Sequence, residues 1–158
     1  MARAGFWPIS STRKITFGRD GHWYADGERI KNRRIERLLS KSLKQTSVGA
    51  YAVEIGWDRA EVEIEDTPYV VTRVTGDPSS GFTLALNDES QEALVPATLR
   101  VGADHVLYCR VKEGCCESRF LRPAYYQLAA HVEEKDGAFF LRTKDGVFPL
   151  GPAGPGRA

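Results

Sequence analysis

The sequence has few of the features that mark membrane-spanning, secreted or strongly charged proteins. No run approaches the roughly 20 consecutive apolar residues that span a bilayer. The apolar cluster Phe6-Trp7-Pro8-Ile9 is too short for the core of a signal peptide. Charge is nearly balanced, with 22 basic and 21 acidic residues. Because nucleic-acid-binding domains usually carry a basic excess, we expect no general nucleic-acid binding. Because no membrane span or signal peptide is seen in the sequence, we expect a cytoplasmic protein without a membrane partner.

Cysteine and histidine are scarce as well, with three residues of each. Cys109, Cys115 and Cys116 cannot all pair with one another, which favours a reducing compartment. No Cys or His pair has metal-ligand spacing, and no glycine-rich phosphate loop or catalytic triad motif is present. We therefore predict no metal, no cofactor and no catalytic residue. The cysteines are read as ordinary strand residues, with a redox-responsive thiol at Cys115 or Cys116 as the alternative.

Short strand-like segments fill most of the 158 residues. They are separated by turn formers such as Asp20-Gly21 and Asp26-Gly27, which are typical of hairpins because both residues tolerate positive φ. We predict strands at 15–17, 22–25, 28–30, 50–55, 61–65, 69–74, 81–86, 97–101, 106–111, 115–121, 138–142 and 147–150. Strands do not alternate regularly with helices, so the pattern predicts an α+β fold with antiparallel sheets.

Apolar residues repeat at helical spacing in two segments. One follows Asn32, a predicted N-cap, and the other begins at Pro123, which suits a first helical turn. The apolar faces hold Ile35, Leu38, Leu39 and Leu43 in the first helix, and Tyr125, Leu128, Ala129 and Val132 in the second. Each helix is followed by a turn and a predicted hairpin. This echo predicts internally duplicated helix-plus-hairpin units.

The same pattern predicts the domain organisation. We expect an N-terminal arm at 1–13 that packs through Trp7, an N-terminal lobe at 14–66 and a C-terminal lobe at 67–151. The last residues, 152–158, are rich in glycine and proline and are predicted to be a disordered tail.

Four collinear motifs carry a resemblance to a known family. They are Asp20–Ile30, Val62–Val70, Arg122–Leu128 and Gly146–Gly151. Together they resemble the bacterial family called domain of unknown function 1285. The resemblance implies a duplicated α+β core and a C-terminal half loosely like a pleckstrin-homology barrel. It also implies a ligand site between the halves, for a nucleotide-like molecule, and a role in signal transduction.

The chain departs from that family pattern before the second helix. Where a basic residue followed by two glycines is expected, this sequence has Lys112-Glu113-Gly114-Cys115.

Two sets of basic residues are candidates for anion binding. The first helix carries a stripe that either forms its solvated side or binds phosphate, RNA or an acidic partner: Arg34, Arg37, Lys41 and Lys44. The second set flanks the predicted junction of the lobes. Its members are Asp66, Arg73, Arg110, Lys112, Arg122 and Tyr125. They are predicted to bind the ligand, or alternatively to form salt bridges between the halves.

Within the second set, Arg122 is the strongest candidate. It precedes Pro123, so the positive end of the following helix dipole would act on the same anion.

These observations predict a small ligand-binding or regulatory module. Its partner is expected to be a nucleotide-like small molecule or another protein, and the chain a monomer or homodimer. One alternative is an enzyme that uses Asp66 or Asp88 as a general base with an arginine holding an anion. The other is an interaction scaffold that dimerises through the strand edge at 70–74.

Overall fold

The computed structural model describes residues 8–150. The chain divides into two compact units, Met1–Asp66 and Thr67–Ala158. Within residues 8–150 it forms two α-helices and fifteen strands, which confirms the predicted α+β class. The arm residues 1–7, including Trp7, and the tail at 152–158 lie outside the described residues.

The first unit contains one six-stranded sheet and one helix. Its elements are β1 (Ile15–Phe17), β2 (Trp23–Ala25), β3 (Glu28–Arg29), α1 (Arg33–Lys41), β4 (Leu43–Ser47), β5 (Ala50–Ile55) and β6 (Asp58–Ile64). The strands lie in the order β3-β2-β1-β6-β5-β4. β1 and β6 are parallel, so the prediction of purely antiparallel sheets is wrong at this pair. Four strands and a helix connect the two, a longer crossover than a simple strand–helix–strand unit.

The turn at Asp26-Gly27 and the helix cap at Asn32 form as the sequence predicts. Asp26 and Gly27 both have positive φ, as a type I′ turn requires. The Asn32 side chain accepts hydrogen bonds from the backbone N–H groups of Arg34 and Ile35, at 2.9 and 3.2 Å. Inside the unit, the Trp23 indole N–H donates to the Ser40 hydroxyl over 2.9 Å. This buried bond ties the helix to the sheet.

Both helices are shorter than their apolar spacing predicts. α1 ends at Lys41, and the backbone N–H of Ser42 then bonds to the carbonyls of Leu38 and Leu39. Leu43 was predicted to lie on the helical face, but it is buried as the first residue of β4, while Leu38 is 37% exposed. The residues after Ser42 include Thr46, whose branched side chain favours a strand.

The second unit contains a six-stranded sheet, a three-stranded sheet and one helix. Its elements are β7 (Tyr69–Asp77), β8 (Gly81–Leu86), β9 (Gln91–Ala93), β10 (Arg100–Val101), β11 (Leu107–Val111), β12 (Cys116–Phe120), α2 (Arg122–Ala129), β13 (Val132–Lys135), β14 (Ala138–Thr143) and β15 (Gly146–Leu150). The sheets have the orders β10-β11-β12-β7-β8-β9 and β13-β14-β15. β7 and β12 form a second parallel pair, again against the antiparallel prediction.

The core of the second unit joins its sheets to α2. Phe82, Leu84 and Leu86 alternate inward along β8, and Leu128 of α2 and Leu141 of β14 belong to the same buried cluster. β9 was not predicted, because its three residues show no apolar alternation. The predicted strand at 97–101 is instead a 3-10 turn at Pro96–Thr98 followed by the short β10, since proline removes a backbone donor.

The two units repeat one order of elements. α1 precedes the antiparallel strands β4, β5 and β6, and α2 precedes the antiparallel strands β13, β14 and β15. The sequence predicted only the last two strands of each set, because Val132, like Leu43, was assigned to a helix and instead begins a strand. That the two segments superpose, and that the C-terminal half resembles a pleckstrin-homology barrel, stay predictions.

Candidate anion site

Helix α2 lies along the edge of β7 that β12 leaves open. β12 pairs with β7 only as far as Phe120 and Val71. Beyond that point the Leu121 N–H donates to the Val71 carbonyl over 3.0 Å. Further along, the Val74 N–H donates to the Gln127 side-chain carbonyl over 2.7 Å. The helix therefore takes over the hydrogen bonding of this edge, which protects it from pairing with another strand.

The start of α2 is held firmly but has no side-chain cap. Ala124 and Leu128 are fully buried in the core and anchor one face of the helix. Pro123, in the first turn, has the φ that a helix requires. Leu121 is the N-cap residue, and it supplies no oxygen to accept the first backbone N–H groups. The partial positive charge of the helix N-terminus is thus not offset by a capping side chain.

Two arginines belong to the backbone segments that meet at this helix start. Arg73 follows Val71 by two residues on β7, and Arg122 follows Leu121 on α2, so both extend from neighbouring backbone. Both residues are exposed. Among residues 8–150, neither guanidinium makes a hydrogen bond or an ion pair. We call Arg73, Arg122 and the first turn of α2 the β7–α2 seam.

Tyrosines on α2 complete the surroundings of the seam. Tyr125 was predicted to contact the ligand, but it is half-buried and packs against the core. Its neighbour Tyr126 is 59% exposed, and the two rings meet edge-on with centroids 5.3 Å apart. Tyr126 lies four residues after Arg122, on the same side of the helix. Sequence reasoning missed it, although the burial of Ala124 and Leu128 places Tyr126 away from the core.

Lys112, another predicted ligand contact, is already bonded within its own unit. Its ammonium group lies 2.7 Å from the Asp88 carboxylate and 3.0 Å from the Ser90 hydroxyl. It also lies 4.9 Å from the centre of the Tyr69 ring. Burial alone would raise the pKa of Asp88, but the hydrogen bonds from Lys112 and Ser90 lower it below its ordinary value. An anion reaching Lys112 would have to compete with this carboxylate.

Arg110 lies on the same β11–β12 hairpin as Lys112. Its Nε donates to the Gly114 carbonyl over 2.7 Å, and one terminal nitrogen lies 3.8 Å from Glu117. Glu117 is itself held more closely by Arg100, through two bonds of 3.0 and 2.7 Å. Within residues 8–150 no hydrogen bond or ion pair connects this hairpin with either arginine of the β7–α2 seam.

The six predicted site residues therefore fall in three places. Arg73, Arg122 and Tyr125 belong to the seam, and Arg110 and Lys112 belong to the β11–β12 hairpin. Asp66 is the last residue of the first unit, where it is exposed. That all six meet around one ligand stays a prediction.

The basic stripe of the first unit is less continuous than predicted. Arg34, Arg37 and Lys41 are exposed on α1, but Lys44 lies on β4, where it pairs with Glu54 at 3.5 Å. The nearby helical acid Glu36 accepts hydrogen bonds from His22 and from the Trp23 backbone.

A groove in the first unit has a cavity volume of about 570 Å³. Arg13, Lys14 and Arg59 line it together with Glu61 and Glu63. Lys14 and Glu63 approach each other to 3.3 Å. Charges of both signs offset one another here, so the groove is a weaker candidate for an anion than the seam.

Two kinds of site are not found in the described part of the chain. Between residues 8 and 150 no three His, Cys, Asp or Glu side chains come together as metal ligands. No helix in that range is long and apolar enough to cross a membrane.

Comparison with solved structures decides the fold. A DUF1285 family protein from Silicibacter pomeroyi DSS-3 matches with a TM-score of 0.68 and 23% identity, over 87% of this chain and 79% of that chain. The chain has the DUF1285 fold. A DUF1285 family protein from Shewanella baltica OS155 matches with a TM-score of 0.59 and 15% identity, over 77% of this chain and 94% of that chain. The resemblance inferred from the four sequence motifs is thereby confirmed.

Neither a protein-family model nor a curated protein matches the chain. At these identities the likeness to DUF1285 proteins carries the fold and not the chemistry. Function must therefore be argued from the side chains themselves.

Proposed function

We propose that the chain is a small binding module for a phosphate-bearing, nucleotide-like anion, acting as a regulatory component of signal transduction. One observation carries the proposal. Two exposed guanidinium groups, Arg73 and Arg122, have no partner among residues 8–150 and extend from backbone next to an uncapped helix N-terminus. The other predicted cations of the second unit, Arg110 and Lys112, already contact protein oxygens.

Each part of the seam suits a phosphate group. Guanidinium binds phosphate through two parallel hydrogen bonds, and the N–H groups at a helix start attract an anion. Both interactions avoid the cost of displacing an internal carboxylate. Tyr126 offers an exposed ring on which a base can stack, an interaction that adds about 1–3 kcal/mol per base. A nucleotide would contact the guanidinium groups, the N–H groups at the helix start and the Tyr126 ring. Inorganic phosphate would contact only the guanidinium and N–H groups.

The test is an NMR titration of the ¹⁵N-labelled chain with adenosine monophosphate and, separately, inorganic phosphate. Both ligands should shift the amides of 71–74, 121, 122, 124 and 125, and the nucleotide should additionally shift the amide of Tyr126. Sodium chloride at matched ionic strength serves as the control. Shifts centred on α1 or on the β11–β12 hairpin, or no shifts with either ligand, would contradict the proposal.

The scaffold alternative, a dimer through the strand edge at 70–74, has less support. β7 lies between β8 and β12 in its sheet, and α2 continues along the side that β12 leaves. The strand edge at 70–74 therefore already bonds to β12 and α2, which does not favour pairing with a second copy.

The enzyme alternative also gains no support from Asp88. Its carboxylate is hydrogen-bonded to Lys112 and Ser90, and its pKa is lowered. A general base works best when its pKa lies near the operating pH, so this environment disfavours Asp88 in that role.

A further inference from the structure

The two adjacent cysteines lie where the β11–β12 turn meets β12. Cys115 is exposed, and Cys116 is buried as the first residue of the strand. Their sulfur atoms are 3.0 Å apart, about 1 Å longer than a disulfide bond. The Cys115 thiol is thus exposed to solvent, and the buried Cys116 thiol is in contact with it. The function proposed above uses neither residue.

We propose that Cys115 and Cys116 form an oxidation site that closes reversibly into a disulfide between neighbouring residues when a hydroperoxide reaches the turn. The exposed Cys115 reacts first, because the solvent-borne oxidant meets its sulfur. The buried Cys116 then acts as the resolving thiol. This arrangement of an accessible cysteine beside a resolving cysteine is typical of redox-sensing sites.

The chemistry balances with the hydroperoxide as oxidant. The Cys115 thiolate attacks one peroxide oxygen, the O–O bond breaks, and an alcohol, or water when the oxidant is hydrogen peroxide, leaves with a proton. Cys115 is then a sulfenic acid. The Cys116 sulfur attacks that sulfur, the S–S bond forms, the S–O bond breaks, and hydroxide leaves as water with the Cys116 proton. Two thiols lose two electrons and one peroxide gains them.

Backbone geometry makes the product easy to reduce. Consecutive Cα atoms across a trans peptide bond are about 3.8 Å apart, whereas disulfides usually join Cα atoms about 4.4–6.8 Å apart. A bond between Cys115 and Cys116 is therefore strained, and strained disulfides are the labile ones. Thiol–disulfide exchange with glutathione should reopen it, which makes the site reversible.

Cys109 provides an internal reference. Its side chain is 1% exposed in the core, and burial, with the charges of Glu92 and Glu117 adding, raises its pKa to about 12. Because the thiolate is the reactive form, Cys109 should stay reduced while the pair at the turn is oxidised.

The experiment treats the full chain with hydrogen peroxide, blocks remaining thiols with iodoacetamide and analyses non-reduced tryptic peptides by mass spectrometry. Trypsin places Cys115 and Cys116 together on peptide 113–119 and Cys109 on peptide 101–110. We expect peptide 113–119 to lose two hydrogen atoms and to escape alkylation, while peptide 101–110 is alkylated in full. Glutathione should restore the alkylatable form.

Variants make the outcome decisive. Cys116→Ser should stop at a sulfenic acid on Cys115 that dimedone traps, and Cys109→Ala should close as the parent chain does. Cross-links between peptides 113–119 and 101–110, disulfide-linked dimers as the main product, or a peptide 113–119 that stays fully alkylatable would each overturn the proposal.

Discussion

Three successive residues at the β11–β12 turn have left-handed backbone conformation. Lys112, Glu113 and Gly114 have φ values of 56°, 59° and 84°. For a residue with a Cβ this conformation costs about 1–2 kcal/mol. The family pattern expects glycine after the basic residue, and here Glu113 stands in the first of those positions. The chain therefore carries a local strain that glycine would remove.

Glu113→Gly should raise the free energy of unfolding. Relief of the left-handed conformation outweighs the extra freedom that glycine has in the unfolded chain, about 0.5–1 kcal/mol, and leaves a net gain of about 0.5–1 kcal/mol. Urea unfolding of the parent protein and of Glu113→Gly measures this difference in the free energy of unfolding. Glu113→Val is the matched control and should lower stability, because a branched side chain tolerates positive φ poorly. Equal stability of the glycine and valine variants would contradict the claim that the backbone at Glu113 is strained.

A buried hydroxyl offers a second prediction at this scale. Ser118 is fully buried on β12, and its Oγ has no hydrogen-bond partner in the described part of the chain. An unsatisfied buried polar group costs about 1–3 kcal/mol. Ser118→Ala should therefore stabilise the protein by about 1 kcal/mol in urea unfolding.

Thr67 supplies the control for Ser118. Its buried hydroxyl donates to the Tyr69 carbonyl over 2.6 Å and accepts the Arg119 N–H over 3.1 Å. Thr67→Ala should lower stability, in contrast to Ser118→Ala. A loss of stability in both variants would mean that Ser118 has a partner, such as a buried water.

At the scale of elements, the β7–β8 hairpin is closed by one carboxylate. Asp77 accepts hydrogen bonds from the backbone N–H groups and the hydroxyls of Ser79 and Ser80. The Ser79 hydroxyl is the largest cause, followed by the Ser80 and Ser79 N–H groups, and together they lower the pKa of Asp77 to about 2, from an ordinary 3.8.

The lowered pKa of Asp77 predicts a pH dependence of stability. A carboxylate with a depressed folded-state pKa stabilises the fold above its unfolded pKa, and the stabilisation is lost as the pH falls from about 4 towards 2. In urea unfolding across that window, Asp77→Asn should show a shallower loss of stability than the parent chain. Parallel curves for the two chains would show that the hairpin does not depend on the charge of Asp77.

Element boundaries show what the sequence can and cannot reveal. β1 and β8 were predicted to the residue, because their alternation is bounded by turn formers. β4 was absorbed into α1, since Leu43 happens to continue the helical spacing, and only the C-cap bonds at Ser42 reveal the break. Parallel pairing of β1 with β6 and of β7 with β12 joins segments far apart in the chain, and no local pattern encodes it.

For the whole molecule, the α+β class and the likeness to DUF1285 proteins followed from the sequence. The residues of the candidate site could be predicted from the sequence only in part. Arg122 is predicted from a local signal, the proline that follows it in the first turn of α2. That Lys112 is bonded to Asp88, and that Val71, two residues before Arg73, is bonded to Leu121, depends on the tertiary fold. Tyr126 was missed because helical spacing shows which residues face the core but not which exposed residue flanks a ligand.

The most direct test of the central claim is the affinity of adenosine monophosphate for Arg122→Ala, measured by isothermal titration calorimetry. Arg142→Ala is the matched control, because Arg142 is an exposed arginine of the same unit that pairs with Glu133. We predict that Arg122→Ala weakens binding by about 1.5–3 kcal/mol, roughly 10- to 150-fold, with an unchanged melting temperature, and that Arg142→Ala binds normally. Normal binding by Arg122→Ala, together with a much lower melting temperature, would contradict the account and assign Arg122 a structural role.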